Sequence, residues 1–173
     1  SLPPGHKLVV DGAGTRSSAY WDLDYPTSAA PPHSGENFSA AVCEALASSV
    51  ERRLMADVPV GSYLSGGLDS AFITALMADN SAKPLNSFSV CFDQAMFDED
   101  KYQSLVADRT GSRHRSTLHP AAHISAALRH SIWHAECPIK ESYNTASLTL
   151  SAATRDAGVP VVLSGEGADE LFA

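Results

Sequence analysis

An α/β fold with a parallel, doubly wound sheet is predicted by three features of this sequence. Short strand-like runs alternate with helical periodicities from Val60 onward, the order that βαβ crossovers produce. Val159-Pro160-Val161-Val162-Leu163 is dominated by β-branched residues, as in a strand buried on both faces of a sheet. Twice, a strand candidate opens into a glycine-bearing loop followed by a helix, at Ser65-Gly66-Gly67 and at Ser164-Gly165-Glu166-Gly167.

Composition narrows the class further. The chain of 173 residues suits one domain, and 44% hydrophobic against 18% charged residues is the balance of a folded globule. Apolar stretches such as Val159 to Leu163 are far shorter than the ~20 residues a bilayer crossing takes, so no membrane span is expected. Ser1-Leu2-Pro3-Pro4-Gly5 lacks the basic and then apolar run of a signal peptide, and without an initiating Met the chain reads as cut from a longer one. Twelve Lys and Arg against twenty Asp and Glu leave a net charge of −8 with no basic stripe, which argues against a nucleic-acid partner. The three cysteines, Cys43, Cys91 and Cys137, form neither a C-x-x-C pair nor a zinc spacing, so a reduced, cytoplasmic setting is expected. Homo-oligomerisation is compatible with the sequence, which does not specify it.

Residues 1–37 hold five of the ten prolines and no helical period, and read as a linker or edge hairpin turning at Gly12-Ala13-Gly14, with extended pieces at His6 to Val10 and Ala19 to Leu23. Phe38, Val42, Leu46, Val50 and Leu54 then recur every four residues and predict a helix, with Asn37 as its N-cap and Pro59 beyond its end. Val60 to Leu64 predicts a strand, and Phe72, Ile73, Leu76 and Met77 a helix reaching Asn80. Leu85 to Phe92 predicts a strand, Asp98 to Arg109 a helix closed by Gly111, and Arg113 to Leu118 a further strand. Helices are expected over Ala121 to His134 and over Thr145 to Ala157, the second closed by Gly158.

The two glycine-bearing loops carry the chemistry. In open parallel sheets, ligands bind beyond the carboxyl ends of the strands. Each loop puts glycine just ahead of a helix whose first amides lack partners, so both suit an anion. Asp69 and Asp169 follow them closely. Two carboxylates converging on a phosphate repel it unless a cation lies between, which implies Mg²⁺. The first loop is not a Walker A motif: counted from Gly61, the Lys and Ser/Thr positions hold Gly67 and Leu68.

Tyr63-Leu64-Ser65-Gly66-Gly67-Leu68-Asp69-Ser70 resembles the pyrophosphate-binding loop of the ATP pyrophosphatase superfamily. Ser164-Gly165-Glu166-Gly167-Ala168-Asp169-Glu170-Leu171-Phe172 is similar to the second signature of glutamine-dependent asparagine synthetases. Ser87-Phe88-Ser89-Val90 and Phe97-Asp98-Glu99 stand between them as in that family, and Leu2-Pro3-Pro4-Gly5 with Tyr20-Trp21 resembles the connector ahead of its synthetase domain.

The resemblance implies a Rossmann-like sheet of the adenine nucleotide alpha hydrolase type, truncated at its C-terminal side. Residues 1–37 would be the connector and residues 38–173 the N-terminal portion of an ATP-binding synthetase domain. It implies adenylation of the aspartate side-chain carboxylate, then displacement of AMP by ammonia from a separate glutaminase domain. Leu64 and Val90 would line the adenosine site, while Ser65, Gly66, Gly67 and Ser70 would wrap the pyrophosphate. Asp69 and Asp169 would hold Mg²⁺, Ser164 and Gly165 would touch the nucleotide, and Glu166 would face the acyl-adenylate and take a proton from ammonia. With Ser1 where the family's glutaminase has its nucleophilic cysteine, no glutamine hydrolysis is expected of this chain. The family's later catalytic lysine is also missing from it. A related amidotransferase or lactam-forming ligase acting on another carboxylate, and a nucleotide-binding module without turnover, are the rival readings.

Other residues invite plainer readings. His119 and His123 are four apart, but Pro120 intervenes and no H-E-x-x-H pattern follows, so structural histidines are expected, and His130 and His134 should face solvent. Trp21 and Trp133 are expected as packing anchors, Cys91 as a buried thiol and Asp98-Glu99-Asp100 as a solvated first turn, with an indirect role near the nucleotide as the alternative that the family match implies. The stretch from Glu136 to Asn144 is where the acceptor would be selected, with Lys140 and Glu141 equally able to face it or water.

Overall fold

The computed structural model describes residues 2–24 and 35–172. The chain divides into two compact units, Ser1–Ala40 and Ala41–Ala173.

The first unit contains an antiparallel hairpin of β1 (His6–Asp11) and β2 (Gly14–Ala19). The second strand starts five residues earlier than expected, because the turn is only Gly12-Ala13 and Asp11 pairs with Gly14. Thr15 to Ser18 is polar throughout, so no alternation announced it. Asp11 braces the turn, accepting from the Ala13 amide at 2.9 Å and from Arg16 Nη2 at 2.5 Å. Arg16, and then the Ala13 amide, hold its carboxyl below the ordinary carboxylate range. Trp21 is 60% exposed and is not a packing anchor. Its backbone closes the hairpin base instead, its amide donating to the Gly5 carbonyl at 3.2 Å. Pro26, Pro31 and Pro32 lie outside the described residues.

Helix α1 (Gly35–Leu54) begins two residues before Asn37, which therefore sits within the first turn rather than capping it. Along the expected stripe Val50 is buried whereas Phe38 is 54% exposed.

In the second unit, β3 (Val60–Tyr63), β4 (Asn86–Cys91), β5 (Arg113–Leu118) and β6 (Val161–Leu163) form one sheet in the order β5-β4-β3-β6, and each neighbouring pair is parallel. Between them run α2 (Leu68–Asp79), α3 (Asp100–Thr110), α4 (Ala121–Ala135) and α5 (Asn144–Asp156), and α6 (Ala168–Phe172) follows β6. The chain steps outward from β3 to β5, then returns through α4 and α5 to set β6 on the other side of β3. Right-handed crossovers then put α2 with α3 and α4 with α5 on opposite faces. Gly111, at φ 63°, ends α3 in the left-handed conformation glycine adopts without strain.

Val50, Met77 and Leu85 form a core with Leu54, Val60, Ile73, Leu76 and Leu163 around them. Phe88 is fully buried in β4. Burying each such side chain contributes about 1.5–3 kcal/mol before entropy is counted. The expectation that Val159 to Leu163 is covered on both faces is corrected: the strand proper has three residues, Pro160 interrupts its start, and Val161 is 39% exposed. Among the described residues β6 pairs with β3 alone. Trp133 is also corrected, being 78% exposed on α4, where Leu128 and Ile132 are themselves partly exposed. Cys91 is half-buried rather than sealed in the core.

Buried polar groups in the sheet are mostly satisfied. Ser87 Oγ bonds Ser112 Oγ at 2.8 Å and His114 Nδ1 at 2.9 Å, and Ser89 Oγ donates to the Leu64 carbonyl. Burial pushes His114 below the usual histidine range, against the opposing pull of Asp100 and Asp108.

Candidate functional site

The strand order reverses beside β3, and the loops after β3 and β6 emerge there side by side, the crevice where open α/β sheets bind ligands. A cleft of about 610 Å³ opens at this point. Leu64, Ser65, Gly67, Asp69 and Ser70 line it from the first loop, and Ser164, Gly165, Glu166 and Asp169 from the second, with Val90 at the end of β4. Asp69 and Asp169, far apart in sequence, thus border one cavity.

Gly165 explains how closely the loops approach. A Cβ there would lie 2.7 Å from the Ser70 amide nitrogen and 2.8 Å from the Asp69 carbonyl carbon, both backbone atoms. Only a residue without a side chain lets the second loop rest on the first turn of α2.

The first loop is held together by its own side chains. Ser70 Oγ accepts from the Ser65 amide at 3.0 Å and lies 2.8 Å from Ser65 Oγ, and Ser65 Oγ accepts from the Gly67 amide at 3.2 Å. The Gly66 amide donates to Glu99 Oε2 at 2.9 Å, and a Cβ on Gly66 would meet Glu99 Cβ at 2.8 Å. Gly66 was expected to wrap an anion; here it does not line the cleft and its N–H is taken by Glu99. The hydroxyl of Ser70 likewise serves the loop. At the start of α2, which borders the cavity, Gly67 is the N-cap residue and no side chain caps the helix.

Glu99, read first as part of a solvated acidic turn, instead takes the indirect place beside the loop that the family motif left open for it. Gln103, one turn further along α3, was missed: it is 3% exposed, lines the cleft, and donates through Nε2 to the Val90 carbonyl at 3.1 Å. Their four-residue spacing, which puts side chains on one helix face, was the available signal.

Charge in the cleft is one-sided. Asp69, Glu99, Glu166, Asp169 and Glu170 line it, and among the described residues no Lys or Arg does. Asp69 and Asp169 are exposed and engage no described side chain, so their oxygens are available. No described group of three or more His, Cys, Asp or Glu converges as a metal cage. Two open carboxylates in an acidic cleft fit Mg²⁺, which is commonly held by one or two carboxylates together with phosphate oxygens.

A second cavity of about 400 Å³ adjoins the first and shares Phe92 and Tyr143 with it. Phe97, Ile124 and Ala146 form further walls, with buried His119 behind them. Thr145 Oγ1 donates to the Ser142 carbonyl at 2.8 Å, so it accepts from His119 Nε2 at 3.0 Å, leaving Nδ1 to accept from Thr149 Oγ1 at 2.9 Å. Burial, and then the neighbouring His123, push His119 below the usual histidine range. Lys140 and Glu141 lie 3.9 Å apart on the surface and line neither cavity. His130 and His134 are exposed, as expected.

The sequence matches the family described as asparagine synthase over residues 41–173. It is 34% identical over 187 aligned positions to the amidase chyE of Penicillium rubens, spanning 98% of this chain and 28% of that protein. It is 37% identical over 133 positions to the glutamine-hydrolyzing asparagine synthetase 1 of Bacillus subtilis, spanning 76% of this chain and 20% of that protein. The chain thus spans less than a third of the length of these relatives. In architecture it is similar to the NH3-dependent NAD synthetase of Campylobacter jejuni, with a TM-score of 0.54 at 14% identity over 77% of this chain and 58% of that one. That likeness gives the fold alone, a parallel sheet flanked by helices. No helix among the described residues is long and apolar enough to cross a membrane. By its family match and its relatives, this chain belongs to the asparagine synthase family.

Proposed function

We propose that this segment binds ATP and Mg²⁺ and activates a carboxylate for amide formation, with the aspartate side chain as acceptor and ammonia from a glutaminase module as nitrogen donor. The single observation that carries the reading is the contact of Gly165 with the first turn of α2, which joins two anion-suited loops and two open carboxylates in one cleft.

In this reading Leu64 and Val90 flank the adenosine, and Ser65, Gly67 and Ser70 shape the pyrophosphate seat, with Gly66 keeping the turn tight. Ser164 and Gly165 touch the nucleotide. Asp69 and Asp169 would hold Mg²⁺, which when bound would neutralise phosphate charge. A carboxylate oxygen attacks the α-phosphorus and pyrophosphate leaves; ammonia then attacks the acyl carbon and AMP leaves. Glu166 faces the acyl group and takes the proton that the attacking nitrogen loses. The protein's contribution is orientation and fixed charge rather than covalent participation.

The test is ATP–pyrophosphate exchange by the intact protein against a panel of carboxylic acids. Aspartate should support exchange, and Asp69→Asn should abolish it or move its Mg²⁺ requirement to higher concentration. Exchange with other acids but not aspartate removes the aspartate assignment. A second reading, an acceptor with an apolar body, is favoured by the adjoining cavity walled by Phe92, Phe97 and Ile124. Nucleotide binding without exchange under any acid leaves a binding module.

A further inference from the structure

Gln103 uses only half of its amide. Nε2 donates to the Val90 carbonyl, while Oε1 is buried without a partner among the described residues. The amide cannot be reversed, because a carbonyl only accepts: the NH₂ must face Val90 and the acceptor must face elsewhere. A buried acceptor stripped of water and given no donor is uncommon in folded proteins. This one belongs to a residue that is 3% exposed and lines the cleft beside Val90.

We propose that Gln103 reads the base of the bound nucleotide, its Oε1 accepting a hydrogen bond from the 6-amino group of adenine. The inference rests on the nucleotide reading of the cleft and adds the residue that selects the base. An exocyclic amine supplies the donor that Oε1 lacks. A 6-oxo purine sets a second acceptor against it, and a purine without a 6-substituent leaves it unpaired. Glu99 and Gln103 then divide the work along one face of α3: the first steadies the phosphate loop through Gly66, the second fixes Val90 and the base.

The experiment is calorimetric titration of the intact protein, with Mg²⁺ present, by ATP, inosine triphosphate and purine riboside triphosphate. Wild type should bind ATP at least about tenfold more tightly than purine riboside triphosphate, the ratio one good hydrogen bond supplies, and inosine triphosphate more weakly still. Gln103→Met, which keeps the packing volume but frees the Val90 carbonyl, should weaken ATP more than purine riboside triphosphate, bringing the two ligands to within about twofold of each other. Equal wild-type binding of ATP and the purine riboside analogue overturns the inference and leaves the nucleotide site standing. So does an equal loss of both ligands in Gln103→Met, the pattern of a merely structural residue. No binding of any triphosphate overturns both. If Gln103→Met does not fold, the wild-type ratio decides.

Discussion

The loops after β3 and β6 have the same plan, strand, glycines, acidic helix start, yet they are supported differently. In the first, the amides of Ser65, Gly66 and Gly67 each meet a side-chain oxygen, from Ser70, Glu99 and Ser65 respectively. In the second, no side chain from Ser164 to Leu171 hydrogen-bonds to a described residue, and its position depends on Gly165 lying against α2. One loop is built in advance; the other is held by fit. Similar sequences therefore predict similar chemistry but not similar tolerance to substitution.

The most damaging way to break this arrangement is at the contact itself. Gly165→Val sets a branched side chain against backbone atoms that cannot step aside, and should cost about 1–3 kcal/mol in urea unfolding, as overpacking does. Nucleotide binding should be lost with it. Ordinary affinity in that variant contradicts the close approach.

Next in size is a matched pair. Ser70→Ala removes the acceptor for the Ser65 amide from a site where Ser70 is 8% exposed, and should cost about 1–2 kcal/mol. Ser164→Ala, in the loop without such bonds, should stay within about 0.5 kcal/mol. Equal losses in the two variants would erase the contrast.

Much of this was legible beforehand, and what was not has a physical reason. Strands β3, β4 and β6 follow short apolar runs and the helices α2 to α5 apolar periodicity or glycine stops, signals written locally in the chain, whereas β5, Arg113–Leu118, is largely polar and carries no such alternation. The shift of β2 escaped because Thr15-Arg16-Ser17-Ser18 pairs through its backbone and carries no apolar code. Trp21 and Trp133 misled because side-chain size says nothing about which way an element faces. The paired glycine loops do border one cavity. The four-residue spacing of Glu99 and Gln103 marks a shared face, but what that face meets, Gly66 and Val90, comes near only through the fold.

A smaller effect separates charge from shape at Glu99. Glu99→Gln keeps an acceptor for the Gly66 amide and should leave loop protection in hydrogen exchange unchanged, whereas Glu99→Ala should expose that amide and cost no more than about 1 kcal/mol at this exposed site. Loss in both variants would assign the role to charge instead.

The smallest effect is pH dependence. His114 and His119 both have lowered folded-state pKa values, so the unfolded chain takes up protons first as pH falls. Their contribution to stability is complete above about pH 6.5, the unfolded value, and diminishes as pH drops through the folded values. Chemical unfolding should show lower stability at pH 5 than at pH 7.5, and His119→Gln should flatten part of that slope. Stability rising on acidification through this window contradicts the sign.

The all-acidic lining of the cleft also has a kinetic consequence. A bare polyphosphate approaching Asp69, Glu99, Glu166, Asp169 and Glu170 meets a local field of its own sign. Dissolved electrolyte shortens the reach of that repulsion. Entry should therefore quicken as ionic strength rises, the reverse of the trend for a basic groove, and the metal-complexed nucleotide should arrive faster than the free one.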